Sequence, residues 1–167
     1  MKYFRKKQIV LLIALGIFTI GCKDAKKENQ ETAIAFQSEL TDKVFQHYMH
    51  IKTALTNGDV QEAKNGGDML ANTISNNYVD ISTLSKKIAS SSDIEVQRAA
   101  FSKLTSAIIP VLEANISEGE IYKQFCPMAF NNNGGYWLSD SKAIQNPYFG
   151  DKMLTCGEVK ETINPTK

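Results

Sequence analysis

The chain is poor in the residues that build most recognisable catalytic centres. It has two histidines, His47 and His50, three cysteines and one tryptophan in 167 residues. No Gly-rich phosphate loop, no Ser nucleophile elbow and no histidine pair bracketing a glutamate occurs in it, which removes the phosphoryl-transfer, hydrolase and metalloprotease signatures. The remaining catalytic alternative pairs Cys126 with His47. Cys126 is followed by proline and apolar residues, not by the electropositive setting that lowers a thiol pKa. The expectation is a protein that is not an enzyme. An excess of one charge is missing too. The chain carries 19 basic and 18 acidic residues, and no basic run beyond its first residues, which argues against nucleic acid as a partner. No internal repeat is present.

Long apolar runs are also absent. The best is Ile9 to Ile20, IVLLIALGIFTI, too short to span a bilayer comfortably as a helix. Lys2, Arg5, Lys6 and Lys7 precede it, and Thr19-Ile20-Gly21-Cys22 follows. A basic start, a short apolar core and a small residue at the cut describe a secretory signal. With cysteine directly after the cut, it resembles a bacterial lipoprotein signal, which implies cleavage before Cys22 and lipid on Cys22. An uncleaved membrane anchor is the alternative. The expected location is the bacterial cell envelope, periplasmic, with the lipid in the inner or outer membrane. Without residues 1–21 the chain keeps 146 residues, with 15 basic against 18 acidic, a net charge of −3. That length supports one domain with a real core. Residues 22–32 are charged and lack large apolar side chains, so they read as a flexible tether, and 33–167 as the domain.

From about Ala33 the pattern is helical. Leu40, Val44, His47, Ile51 and Ala54, widened by Tyr48 and Leu55, form the first stripe, which Asn57-Gly58 ends. Asp59 caps a second helix, with Val60, Ala63, Gly67, Leu70 and Ile74 on one face. Gly66-Gly67 costs it on the order of 1 kcal/mol per glycine, which close approach of a neighbour would justify. Tyr78 to Ile88 reads as a short helix. Asp93 caps a third long helix containing Ile94, Phe101, Leu104, Ile108 and Val111, with Arg98 beside them and Pro110 expected to kink or shorten it. Beyond the break at 115–120 the period changes. Residues 121–125 and 136–138 predict a hairpin around Asn131-Asn132-Asn133-Gly134-Gly135. Ser139-Asp140 suggests one helical turn, Asn146-Pro147 a bend, and Asp151 the cap of a last short helix through Glu158. The predicted fold is mostly α: a small helical bundle of three long helices plus short ones, closed by a C-terminal β-hairpin and loop lid.

The unusual chemistry sits in that lid. Cys126 and Met128 would share a face on a regular strand, and Met153 and Cys156 would share one on a helical turn. Converged, these sulfurs make a soft site, and soft donors select Cu(I) or Ag(I). His47 and His50 are further candidate ligands, three residues apart on the first helix. The competing reading joins Cys126 and Cys156 in a disulfide, worth roughly 3–4 kcal/mol for a loop of about thirty residues, with Met128 and Met153 filling gaps against Trp137, Tyr148 and Phe149. An oxidised pair holds no metal as thiolate, so the two readings also alternate.

The segments IYKQFCPMAF, GGYWLSD and IQNPYFGDKMLTCGEV, with Ile94-Glu95-Val96-Gln97-Arg98, Phe101 and Leu104, closely resemble a bacterial domain family of unknown function. The resemblance runs from about Leu40 to Val159. Members occur as small lipoproteins and as the C-terminal part of periplasmic adaptor subunits of heavy-metal efflux pumps, especially for copper and silver. The resemblance therefore implies metal handling, with Cys126, Met128, Met153 and Cys156 as matching positions. The expected partners are the membrane, through Cys22, and heavy-metal efflux pump components. The Cys-Pro-Met start is also similar to short heavy-metal motifs in which histidine follows methionine, but Ala129 stands there. The leading expectation is a lipid-anchored envelope protein that binds Cu(I) or Ag(I). The runner-up is a disulfide-stapled helical interaction module for another envelope protein.

Overall fold

The computed structural model describes residues 33–74 and 78–166. The chain divides into two units, Met1–Gln30 and Glu31–Lys167. The signal, Cys22, the whole tether of residues 22–32 and Asn76-Asn77 lie outside the described residues.

Four helices follow one another: α1 (Glu39–Thr56), α2 (Val60–Thr73), α3 (Val79–Ser90) and α4 (Ile94–Glu113). Three of the four starts, all but that of α3, carry a side-chain cap, because the first N–H groups of a helix have no partner within it. Ser38 Oγ accepts from Thr41 N–H, Asp59 from Glu62 N–H, and Asp93 from both Glu95 and Val96 N–H. The segment expected as a short third helix is a full member of the bundle, packed between α2 and α4. Val44, Tyr48, Ile51 and Leu55 line the buried face of α1, but Leu40 is exposed, because the stripe enters the core only after the first turn. Pro110 sits on the exposed side of α4, and the helix runs through it to Glu113.

The glycine pair of α2 is explained by its neighbours. A Cβ on Gly66 would lie 2.8 Å from Ile51 Cγ1 of α1, and one on Gly67 would lie 2.8 Å from Ser85 O of α3. The two glycines let α1 and α3 approach α2 from either side. Gln97, fully buried on α4, ties these ends together by donating from Nε2 to Val60 O, Ile88 O and Ser91 O.

Two small antiparallel sheets complete the fold. β1 (Ala35–Phe36) pairs with β2 (Ile116–Glu118), in the region read as a simple break. β3 (Ile121–Cys126), β4 (Gly135–Ser139) and β5 (Glu158–Ile163) form a sheet of order β4-β3-β5. The predicted hairpin is β3–β4. The helix expected from Asp151 to Glu158 does not form: a 3₁₀ turn at Gly150–Lys152 and a turn at 153–156 lead into β5, which begins at Glu158. Gly157 decides this. Its φ is 149°, and a Cβ there would lie 2.8 Å from Trp137 Cη2 and 3.0 Å from Phe125 O, so the chain must leave the turn extended and close against β3. The helical turn expected at Ser139-Asp140 is a run of bends, in which Ser139 and Ser141 hydroxyls accept from N–H groups two residues on. β4 packs on α1 and α4, so sheet and bundle share one core in which Tyr48, Phe101, Trp137 and Leu138 are fully buried.

Candidate functional site

The lid is held to the bundle by polar contacts that its sequence does not announce. Tyr48 Oη bonds Thr105 Oγ1 at 2.8 Å and accepts from Leu138 N–H at 2.9 Å, so one phenol joins α1, α4 and β4. Burial pushes the Tyr48 phenol well above its ordinary pKa. Tyr148 packs edge-on against Phe130 and Trp137, and its hydroxyl donates to Tyr136 O. Arg98 donates from Nε to Pro147 O at 2.9 Å and from Nη2 to Leu55 O at 3.3 Å. Asn146, fully buried, accepts from Tyr148 N–H at Oδ1 and donates from Nδ2 to Cys156 O, each at 2.8 Å.

Along β3, Tyr122, Gln124 and Cys126 turn inward while Lys123 and Phe125 are partly exposed. Cys126 is therefore fully buried at the last strand position, opposite Gly135. The strand stops there. Pro127 opens the connection to β4, where Phe130, Asn131 and Asn132 all have φ between 55° and 65°. Successive positive φ values are costly for side chains other than glycine. This departs from the strand geometry under which Cys126 and Met128 would share a face: Met128 lies beyond the strand and is 46 % exposed.

At the other end, Met153 and Cys156 lie in a turn, not on a helix, with Cys156 N–H donating to Met153 O at 3.0 Å. Both are partly buried, whereas Leu154 and Thr155 face solvent. The turn sets Cys156 Sγ 2.9 Å from Cys126 Sγ, and both are free thiols. The Cys156 thiol is pushed up to about 11, first by its hydrogen bond with Cys126, then by burial and by the charge Cys126 would carry.

The histidines stand elsewhere. His50 Nε2 contacts Glu62 Oε2 at 2.8 Å between α1 and α2. His47 is half-buried on α1, and burial, then His50 and Lys43, hold its pKa below the ordinary value. Among the described residues no group of three or more His, Cys, Asp or Glu side chains gathers as a metal cluster, so neither histidine joins the two thiols. The sequence reading thus named both cysteines that meet. The hydrogen bonds of Asn146, Tyr148 and Arg98 around the segment that carries Cys156 were not foreseen; for Asn146 the available signal was Asn-Pro ahead of a thiol-bearing turn.

The described residues form a mostly helical fold with a C-terminal three-stranded antiparallel sheet, at the end of whose central strand two thiols meet. Residues 44–119 match the model of a family described as a protein of unknown function (DUF3347). The match runs from α1 into the turn after β2 and ends before Cys126, a shorter span than the resemblance from Leu40 to Val159. No curated protein and no solved structure matches the chain.

Proposed function

We propose that the chain is a lipid-anchored bacterial envelope protein whose domain is a disulfide-stapled helical interaction module, with the C-terminal lid meeting another envelope protein. The observation that carries this reading is the 2.9 Å approach of Cys126 Sγ to Cys156 Sγ. Disulfide sulfurs lie about 2.05 Å apart, so less than about 1 Å of movement closes the bond. An ion held linearly between two thiolates needs them about 4.6 Å apart, from metal–sulfur bonds of about 2.3 Å each. The pair would have to open by more than about 1.5 Å to admit one. An envelope location, implied by the signal before Cys22, favours oxidation of such a pair. Met128, Tyr136, Leu154 and Val159 give the lid exposed apolar side chains for a partner.

The donor set favours a second reading. Among the described residues no His, Asp or Glu groups with the two thiols; such a pair suits Cu(I) or Ag(I) at low coordination, and the solvent-facing turn of Cys156 is the part that would open. Under this reading the protein buffers the ion or passes it to an efflux system, as the sequence resemblance implies.

Thiol titration of purified protein with and without reductant separates the two. The staple reading expects no free thiol at Cys126 and Cys156 before reduction, and equal Cu(I) retention by reduced wild type and the Cys126→Ser, Cys156→Ser double variant. Two free thiols as isolated, with about one Cu(I) held by wild type and lost in the double variant, would decide for the metal. Cys22→Ala tests the anchor independently: the variant should leave the membrane fraction or persist as uncleaved precursor.

A further inference from the structure

We propose that Asn146 is the positioning residue of the thiol pair, through its hydrogen bonds to the turn that carries Cys156. The proposal rests on the reading that Cys126 and Cys156 work as a pair. Cys126 needs no such help, because it is fully buried on the central strand β3 and paired with Gly135 of β4. Cys156 sits in a turn with solvent-facing neighbours, and β5 begins only at Glu158. Asn146 brackets that turn twice. Its backbone N–H donates to Leu154 O at 2.8 Å, and its side-chain Nδ2 donates to Cys156 O at 2.8 Å.

Asn146 is itself immobilised. Oδ1 accepts from Tyr148 N–H across Pro147, an Asx turn, and its carbonyl accepts from Gly150 N–H at 3.0 Å. Both flanks of that turn are bolted down, Pro147 O by Arg98 and Tyr148 by Tyr136 O. The geometry needs an acceptor and a donor on one short side chain. Aspartate lacks the donor, serine is too short to do both, and glutamine cannot close the Asx turn. With the turn held, the thiols meet before any bond forms between them, so the cost of ordering residues 153–156 is met in advance.

The full chain, purified in detergent, is equilibrated in glutathione buffers. The two thiols pass two hydrogens to one oxidised glutathione, giving the protein disulfide and two reduced glutathiones, and the equilibrium constant reads how well the thiols are placed. Asn146→Asp keeps the acceptor for Tyr148 N–H and removes the donor to Cys156 O. It should lower the constant about tenfold, as loss of one well-placed hydrogen bond does, with circular dichroism and Trp137 fluorescence unchanged. A folded Asn146→Asp variant with the wild-type constant would overturn the proposal. So would Asn146 side-chain amide protons in the wild type that exchange as fast as those of a free amide, a measurement that needs no variant. Failure of the wild type itself to form the disulfide at any buffer ratio would instead remove the pairing on which the proposal rests.

Discussion

Arg98 Nε and Pro147 O lie 2.9 Å apart, and this bond joins the first turns of α4 to a lid segment 49 residues later. The same guanidinium reaches Leu55 O at the end of α1, so one side chain satisfies carbonyls from two segments. Arg98→Ala leaves both without that partner and should cost about 2–3 kcal/mol, since buried polar groups stripped of a partner are expensive. Arg98→Lys should recover little, because an ammonium lacks the planar fork. Removing Glu95, whose side chain is 68 % exposed, should change stability by only a few tenths of a kcal/mol. Urea unfolding of the three variants checks the order.

Gly67→Ala sets two effects against each other. Alanine gains about 1 kcal/mol of helix propensity. Its Cβ would stand 2.8 Å from Ser85 O and 2.9 Å from Ala89 N, both backbone atoms of α3 that cannot swing aside. Overpacking of this kind costs about 1–3 kcal/mol, so a net loss is expected. A thermal midpoint equal to or above wild type would show that α2 and α3 do not approach this closely.

The elevated Cys156 thiol has a chemical readout. With its pKa near 11, reduced Cys156 should alkylate slowly at pH 8 and about tenfold faster per pH unit up to that value. Cys126→Ala removes the largest cause, the hydrogen bond, and should return Cys156 toward the ordinary 9.0, speeding alkylation at pH 8 by tens of fold. Equal rates in the two proteins would mean that the thiols do not meet in solution.

His47 predicts a pH dependence of stability. Its folded pKa is depressed below 6.5, chiefly by burial, so the unfolded chain binds the proton more readily. The stability involved is fully present above pH 6.5 and is lost as pH falls through the lower folded value. Denaturation between pH 7.5 and 5 should show wild type losing stability relative to His47→Gln, modestly because the ring is only half-buried. An identical pH profile for the two would sink the assignment.

Local chemistry made much of this molecule legible in one dimension. The caps Asp59 and Asp93, the stop at Asn57-Gly58 and the stripe through Val44, Ile51 and Ala54 depend on residues within a turn or two of each other, so the four-helix order follows from the sequence. The Gly66-Gly67 pair announced close approach but not which helices approach. Cys126 and Cys156 stood out by composition, and their sequence resemblance covered the lid. What the sequence misread was set by contacts far along the chain. β5 exists because β3 offers a free edge and Gly157 must fit between Trp137 and Phe125, neither of which is near it in sequence. Met128 lies beyond the strand and is exposed, because the strand ends one residue after the pattern was last informative, and among the described residues neither histidine groups with the two thiols. Residue type determined which side chains were able to act on metal or on each other. The meeting of two thiols was decided only in three dimensions, by Asn146, Tyr148 and Arg98, whose hydrogen bonds reach carbonyls 10 to 49 residues away.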